Sequence, residues 1–148
     1  MSASAAAAVP DVRAFSQFVN LSATTPKVLI VEDQLTVRWQ LLEHFRTMGI
    51  EALTASAGFE AIRLAGVHRP DLILLDGLVP DMHGFEIARF VRNIDRDYRP
   101  YIVFMTGIYK NIRYRNEAKL KYGIDDYIIK PVALESLDAI LSHTRAVL

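Results

Sequence analysis

The sequence has no cysteine, which excludes disulfides and thiol chemistry and removes one pointer to export. It has no net charge, because 17 Lys and Arg balance 17 Asp and Glu. No global field therefore favours nucleic acid or an anionic membrane. It has no apolar run near the ~20 residues that span a bilayer. The Ala-rich start lacks a basic n-region, and its apolar stretch is too short for a signal peptide. A soluble, cytoplasmic protein without membrane contact is the expectation. The four histidines, His44, His68, His83 and His143, are scattered and never fall at H-x₃₋₅-H spacing, so a histidine metal site is not expected. No two of the expected strands are joined by a hairpin signal such as Asn-Gly, which disfavours a mixed sheet.

What is present is a globular balance of 51% hydrophobic and 23% charged residues over 148 positions, enough for one domain with a full core. Residues 1–26 stand apart. They are rich in Ala and Ser, contain Pro10 and Pro26, and carry little charge. They read as a flexible N-terminal extension, with Val12, Phe15, Phe18 and Val19 spaced for a short amphipathic helix. Residues 27–148 read as a single domain.

The organising stretch of that domain is 71–80. Four apolar residues run into Asp76, and then Gly77 and Pro80 break the run. So short an apolar run reads as a central strand buried on both faces, ending in a carboxylate at the sheet's carboxyl edge. Ligands bind at that edge in open α/β sheets. Strands are expected at 28–31, 51–55, 71–76, 101–105 and 126–129, and helices at 35–48, 58–68, 85–93, about 113–122 and 133–145. Ser56 is the expected N-cap of the second helix, and Gly49 ends the first. Leu35, Trp39, Leu42, Phe45 and Met48 form the apolar stripe of the first helix, with Trp39 in the core or at its edge. Ile87, Phe90 and Val91 are the expected inner face of the third helix. Five β-α pairs with short connections predict an α/β fold, a five-stranded parallel sheet with helices on both faces, doubly wound.

All strands of such a sheet end on one edge, so Glu32, Asp33, Asp76, Thr106 and Lys130 should converge. Three carboxylates repel one another unless a cation sits among them. Oxygen ligands from Asp33, Asp76 and a loop carbonyl suit Mg2+. Lys130 adds a point charge suited to a phosphate oxygen, and Thr106 adds a hydroxyl donor. The set meets the needs of phosphoryl transfer, with Asp76 as the candidate nucleophile.

From about Lys27 onward the chain resembles the receiver domain of two-component response regulators, close in plan to the stand-alone chemotaxis regulators. The motifs match in order. They are the acidic pair after the first strand, Asp76 with Pro80 and Gly84 downstream, Thr106-Gly107, and residues 126–131 ending in Lys130-Pro131. The resemblance implies a flavodoxin-like fold and phosphorylation of Asp76. It implies that Asp33 and Asp76 bind Mg2+ directly, Glu32 through water, and Leu78 through its carbonyl. It further implies a switch pair of Thr106 and Tyr127, contact of Lys130 with the phosphoryl group, and a cis Lys130-Pro131 peptide. The phosphoryl donor would be a sensor histidine kinase or a phosphotransfer protein. The chain would be a phosphoacceptor switch rather than an enzyme acting on another substrate, catalysing only its own phosphorylation and dephosphorylation.

Gly77 and Leu78 depart from the family pattern after Asp76, as does His83 before Gly84, and the segment from Thr106 to Lys130 is about two residues longer than usual. Leu78 and Ile108 are apolar where the attacking water passes, so a slowly hydrolysed phosphoryl group is expected. No effector domain follows Leu148, so output is expected through protein–protein contact, with a homodimer among the options and no direct DNA binding. Lys110, Arg113, Arg115, Lys119 and Lys121, opposed by Glu117 and interleaved with Tyr109, Tyr114 and Tyr122, mark the face for an acidic partner or a second copy. The competing readings are a scaffold that binds partners without phosphorylation, a phosphohydrolase of the haloacid dehalogenase type, and a flavin-binding domain. Leu78 occupies the second acid position of the hydrolase. No Ser/Thr-Gly-rich phosphate loop follows the first strand.

Overall fold

The computed structural model describes residues 25–107 and 112–147. The expected N-terminal helix around Val12, Phe15, Phe18 and Val19, and Ile108, Tyr109 and Lys110, lie outside the described residues.

The elements alternate as the sequence predicts. They run β1 (Val28–Val31), α1 (Leu35–Thr47), β2 (Leu53–Ala55), α2 (Gly58–His68) and β3 (Leu72–Asp76). A short pair, β4 (Leu78–Val79) and β5 (Met82–His83), precedes α3 (Gly84–Arg92). Then come β6 (Tyr101–Thr106), α4 (Ile112–Tyr122), β7 (Asp126–Ile129) and α5 (Leu134–Val147). Five strands form one parallel sheet in the order β2-β1-β3-β6-β7. β3 lies at the centre, fully buried along its length.

Strand side chains alternate between the two faces of the sheet. Val28 and Ile30 point into a core shared with Leu41 and Phe45 of α1 and Leu137, Ile140 and Leu141 of α5. Leu29 and Val31 point into the other, with Ala61, Leu64 and Ala65 of α2 and Phe85, Ile87, Ala88 and Val91 of α3. Both faces are therefore covered, which is why the strands read as unbroken apolar runs. Gly49 ends α1 at φ +78°, a conformation that glycine adopts without steric penalty.

Three local expectations are corrected. Trp39 is 59% exposed rather than core, and Leu35 on the same face is 69% exposed. The buried stripe of α1 passes through Leu41 and Phe45, with Val37 and Met48 packed beside it. Trp39, two residues from Leu41, turns about 200° away from that stripe. For the same reason Phe90 of α3, two residues from buried Ala88, is 54% exposed. Ser56 does not cap α2. The cap position is Ala57, with no side-chain bond of its own. Asp81 instead accepts from the N–H groups of Gly58 at 2.6 Å and Phe59 at 3.1 Å. The antiparallel pair β4–β5, Leu78 opposite His83, is a feature that two-residue strands leave no periodicity to reveal.

Candidate phosphoacceptor site

The carboxyl edge gathers the predicted residues. β1 runs directly into Glu32 and Asp33, β3 ends in Asp76 and β6 in Thr106, and Lys130 follows β7. The register aligns Val31 with Leu75 and Thr106 with Ile129, so these strand ends stop level with one another. Carboxylate oxygens of Glu32, Asp33 and Asp76 all lie within 4.8 Å of one another. Glu32 is fully buried, Asp76 is 7% exposed, and Asp33 is open to solvent.

Lys130 bridges the buried pair. Its Nζ donates to Glu32 Oε1 at 2.8 Å and lies 3.3 Å from Asp76 Oδ1. Burial pushes the Glu32 carboxyl above its ordinary value, against the opposing hydrogen bond from Lys130. Burial alone would lower the Lys130 ammonium, but the Glu32 and Asp76 carboxylates outweigh it and hold the pKa above the usual lysine value. The peptide that follows Lys130 is cis, as the family resemblance implies.

The surrounding backbone is held at several points. Gln34 N–H donates to Glu32 Oε2 at 3.1 Å and Leu78 N–H to Asp76 Oδ1 at 3.3 Å. Gly84 N–H donates to the Gly77 carbonyl at 3.0 Å. A Cβ on Gly84 would fall 2.7 Å from the Asp76 carbonyl oxygen and 2.6 Å from the Phe104 ring, so only glycine lets α3 start this close to Asp76. His83 caps α3: its Nδ1 accepts from Phe85 N–H at 3.1 Å while the Glu86 carboxylate accepts from His83 N–H at 3.3 Å. This gives His83 a structural role that sequence spacing did not reveal.

A cleft of about 290 Å³ opens onto the site, lined by Asp33, Asp76, Leu78, Thr106 and Lys130 among others. Leu78 is 57% exposed there. Thr106 is buried. Tyr127 is half-buried, opposite Phe104 in the register, with the two rings edge-on at 5.8 Å. Phe104 stacks on Phe85 at 4.7 Å, and Phe85 on Tyr122 at the end of α4 at 4.6 Å. Sequence reading missed Arg38, whose guanidinium bonds the Glu32 and Asp33 carbonyls. It stands five positions beyond Asp33 and six beyond Glu32, and the turn of α1 brings it back.

The donor set fits a small hard cation. Three carboxylates crowd one spot, one reaches solvent, and hard divalent ions take oxygen ligands while keeping several waters.

Comparison with known proteins agrees with this geometry. Residues 28–142 match the family model of the response regulator receiver domain. The transcriptional regulatory protein AfsQ1 of Streptomyces coelicolor is 36% identical over 123 residues, 83% of this chain and 51% of that protein. The chain thus spans about half the length of that regulator. Sporulation initiation phosphotransferase F of Bacillus subtilis is 34% identical over 79% of this chain and 92% of its own length. Among solved structures, chemotaxis protein CheY4 of Vibrio cholerae aligns with a TM-score of 0.73 at 28% identity, covering 81% of this chain and 98% of the other. The receiver domain of a Pseudomonas aeruginosa sensor histidine kinase, which holds a magnesium ion in its active-site cleft, aligns with a TM-score of 0.71 at 26% identity, covering 82% and 98%.

Proposed function

The chain belongs to the response regulator receiver domain family, and from that premise we propose that Asp76 accepts a phosphoryl group from a histidine kinase or phosphotransfer protein, in a reaction that requires Mg2+. The observation that carries the reading is the juxtaposition of Asp76 with Glu32, Asp33 and Lys130 at one strand edge.

In this reading one Asp76 carboxylate oxygen attacks phosphorus, and the P–N bond to the donor imidazole breaks. Asp33 and Asp76 would hold the metal directly, Glu32 through water, and the Leu78 carbonyl would complete the set; the chemistry supplied there would be neutralisation of charge on the transferring oxygens. Lys130 leaves its bridge to Asp76 and takes up a phosphoryl oxygen. Its bond to Glu32 keeps it aimed at the site meanwhile. Thr106 contributes its hydroxyl to another oxygen. Its inward movement makes room for Tyr127 to turn, and the face of α4, β7 and α5 changes with it. We take residues 1–26 as an extension outside the receiver domain, and signalling as contact with a protein partner.

The test is mass spectrometry after incubation with acetyl phosphate. An 80 Da adduct is expected with Mg2+, and none with EDTA or in Asp76→Asn. A protein that never takes the adduct yet binds its partners would instead be the scaffold. An adduct that persists in Asp76→Asn would put the acceptor elsewhere.

A further inference from the structure

Arg38 lies one turn into α1 and is half-buried. Its Nη1 donates to the carbonyl oxygen of Glu32 at 2.9 Å and to that of Asp33 at 3.3 Å. These are consecutive peptide carbonyls of the two residues whose side chains form the acidic pair. The amide of Glu32 is held from the other side by the Ala55 carbonyl at 3.0 Å. Its carboxylate is held by Gln34 N–H at 3.1 Å and Lys130 Nζ at 2.8 Å. Asp33 is different. It is exposed, and it lies past the end of β1, where no strand among the described residues pairs with it. The guanidinium ties the peptide plane of the Asp33 carbonyl to the helix, and the N–H of that same plane, from Gln34, is held by Glu32 Oε2.

We infer that Arg38 is a positioning residue for the acidic pair, fixing the Glu32-Asp33 backbone so that both carboxylates face Asp76. The inference rests on the reading of that pair as a Mg2+ site. Orientation of a side chain follows from orientation of its peptide planes, and a ligand held in advance loses less freedom on binding. Partners that orient metal ligands without touching the ion typically change affinity ten- to a hundred-fold when removed. Both bonds come from the one Nη1 nitrogen, whose two hydrogens are fixed in the guanidinium plane, and the group stays charged at any ordinary pH.

The charge of Arg38 works in the opposite direction. A cation beside three carboxylates repels an incoming divalent ion. If Arg38 acted through charge alone, its removal would tighten Mg2+ binding. If it positions the pair, removal weakens binding. The sign of the change separates the two roles.

The experiment is a Mg2+ titration of the unphosphorylated protein, followed by amide shifts of Gly77 and Leu78. Arg38→Met keeps the apolar stem and removes the donors. The expected result is affinity weaker by about ten-fold or more. Arg38→Lys, which keeps the charge and one compact donor, should fall between, and serves alone if Arg38→Met does not fold. Hydrogen exchange without metal gives a second readout. The Gln34 amide, held by Glu32, should exchange faster in Arg38→Met. Unchanged or tighter Mg2+ binding overturns the inference, and so does unchanged exchange at Gln34. If the native protein takes up no Mg2+, the reading above fails by itself, while the exchange of Gln34 still decides whether Arg38 holds the loop.

Discussion

Two side chains carry predictions of their own. Leu78 stands exposed at the mouth of the phosphoacceptor cleft and has no group that could orient water. Orientation is a large part of hydrolytic catalysis. An aspartyl phosphate at Asp76 should therefore persist, and Leu78→Asn should shorten its half-life about ten-fold, the effect of one hydrogen bond of about 1.4 kcal/mol. The decay of the 80 Da adduct measures it, and a longer half-life in the variant would refute the argument. Tyr98 is 8% exposed and donates to the Pro70 carbonyl at 2.7 Å. Burial, with the Asp71 carboxylate nearby, holds its phenol well above the usual 10.0. Above pH 10 the unfolded chain loses this proton while the folded one keeps it, so stability falls as pH rises through that window. The expected slope from this group is about 1.4 kcal/mol per pH unit. Urea midpoints across the window should fall less steeply in Tyr98→Phe. At neutral pH that variant should lose about 1 kcal/mol, the worth of the hydrogen bond.

At the scale of elements, α2 has no capping side chain next to it in sequence and borrows Asp81, which precedes β5. The Asp81 carboxyl is held below its ordinary 3.8 by the amides of Gly58 and Phe59. A depressed carboxylate stabilises the fold above the unfolded value and loses that contribution as pH falls through the folded one. The capping should therefore survive at neutral pH and fail in acid. Asp81→Ala is expected to speed amide exchange at Gly58 and Phe59 and through the first turn of α2, while Asp81→Asn, another good capping residue, should restore most of the protection. Equal exchange in all three proteins would show that the contact contributes nothing. The same bond ties α2 to the chain segment leaving Asp76, so the first turn of α2 should also register phosphorylation.

At the scale of the molecule, zero net charge hides a local imbalance. Lys119, Leu120 and Lys121 at the end of α4 are all exposed, Leu120 to 90%. A basic surface around an apolar side chain suits an acidic protein partner or an acidic patch on a second copy. A phosphoryl group can shift association only by the difference in affinity between the two states. Sedimentation of the protein with the phosphoryl analogue beryllofluoride tests the second copy, and association kinetics test a separate partner. Lys119→Glu with Lys121→Glu should weaken the interaction on the order of ten-fold and reverse its salt dependence. Binding that ignores both changes would move the output surface away from α4.

The sequence by itself determined the order of the five sheet strands and the five helices, because each apolar run or helical stripe is a local pattern that survives without its neighbours. It also determined that Glu32, Asp33, Asp76, Thr106 and Lys130 meet, since parallel strands must end on one edge. The tertiary structure alone decided which way each stripe faced, leaving Trp39 and Phe90 at the surface although both are large and apolar. It alone placed Asp81 on the amides of α2 across 22 or 23 residues. Arg38 belongs with these. Periodicity records burial averaged over a helical face, whereas a hydrogen bond needs two atoms brought within about 3 Å, and for distant residues only the closed chain supplies that.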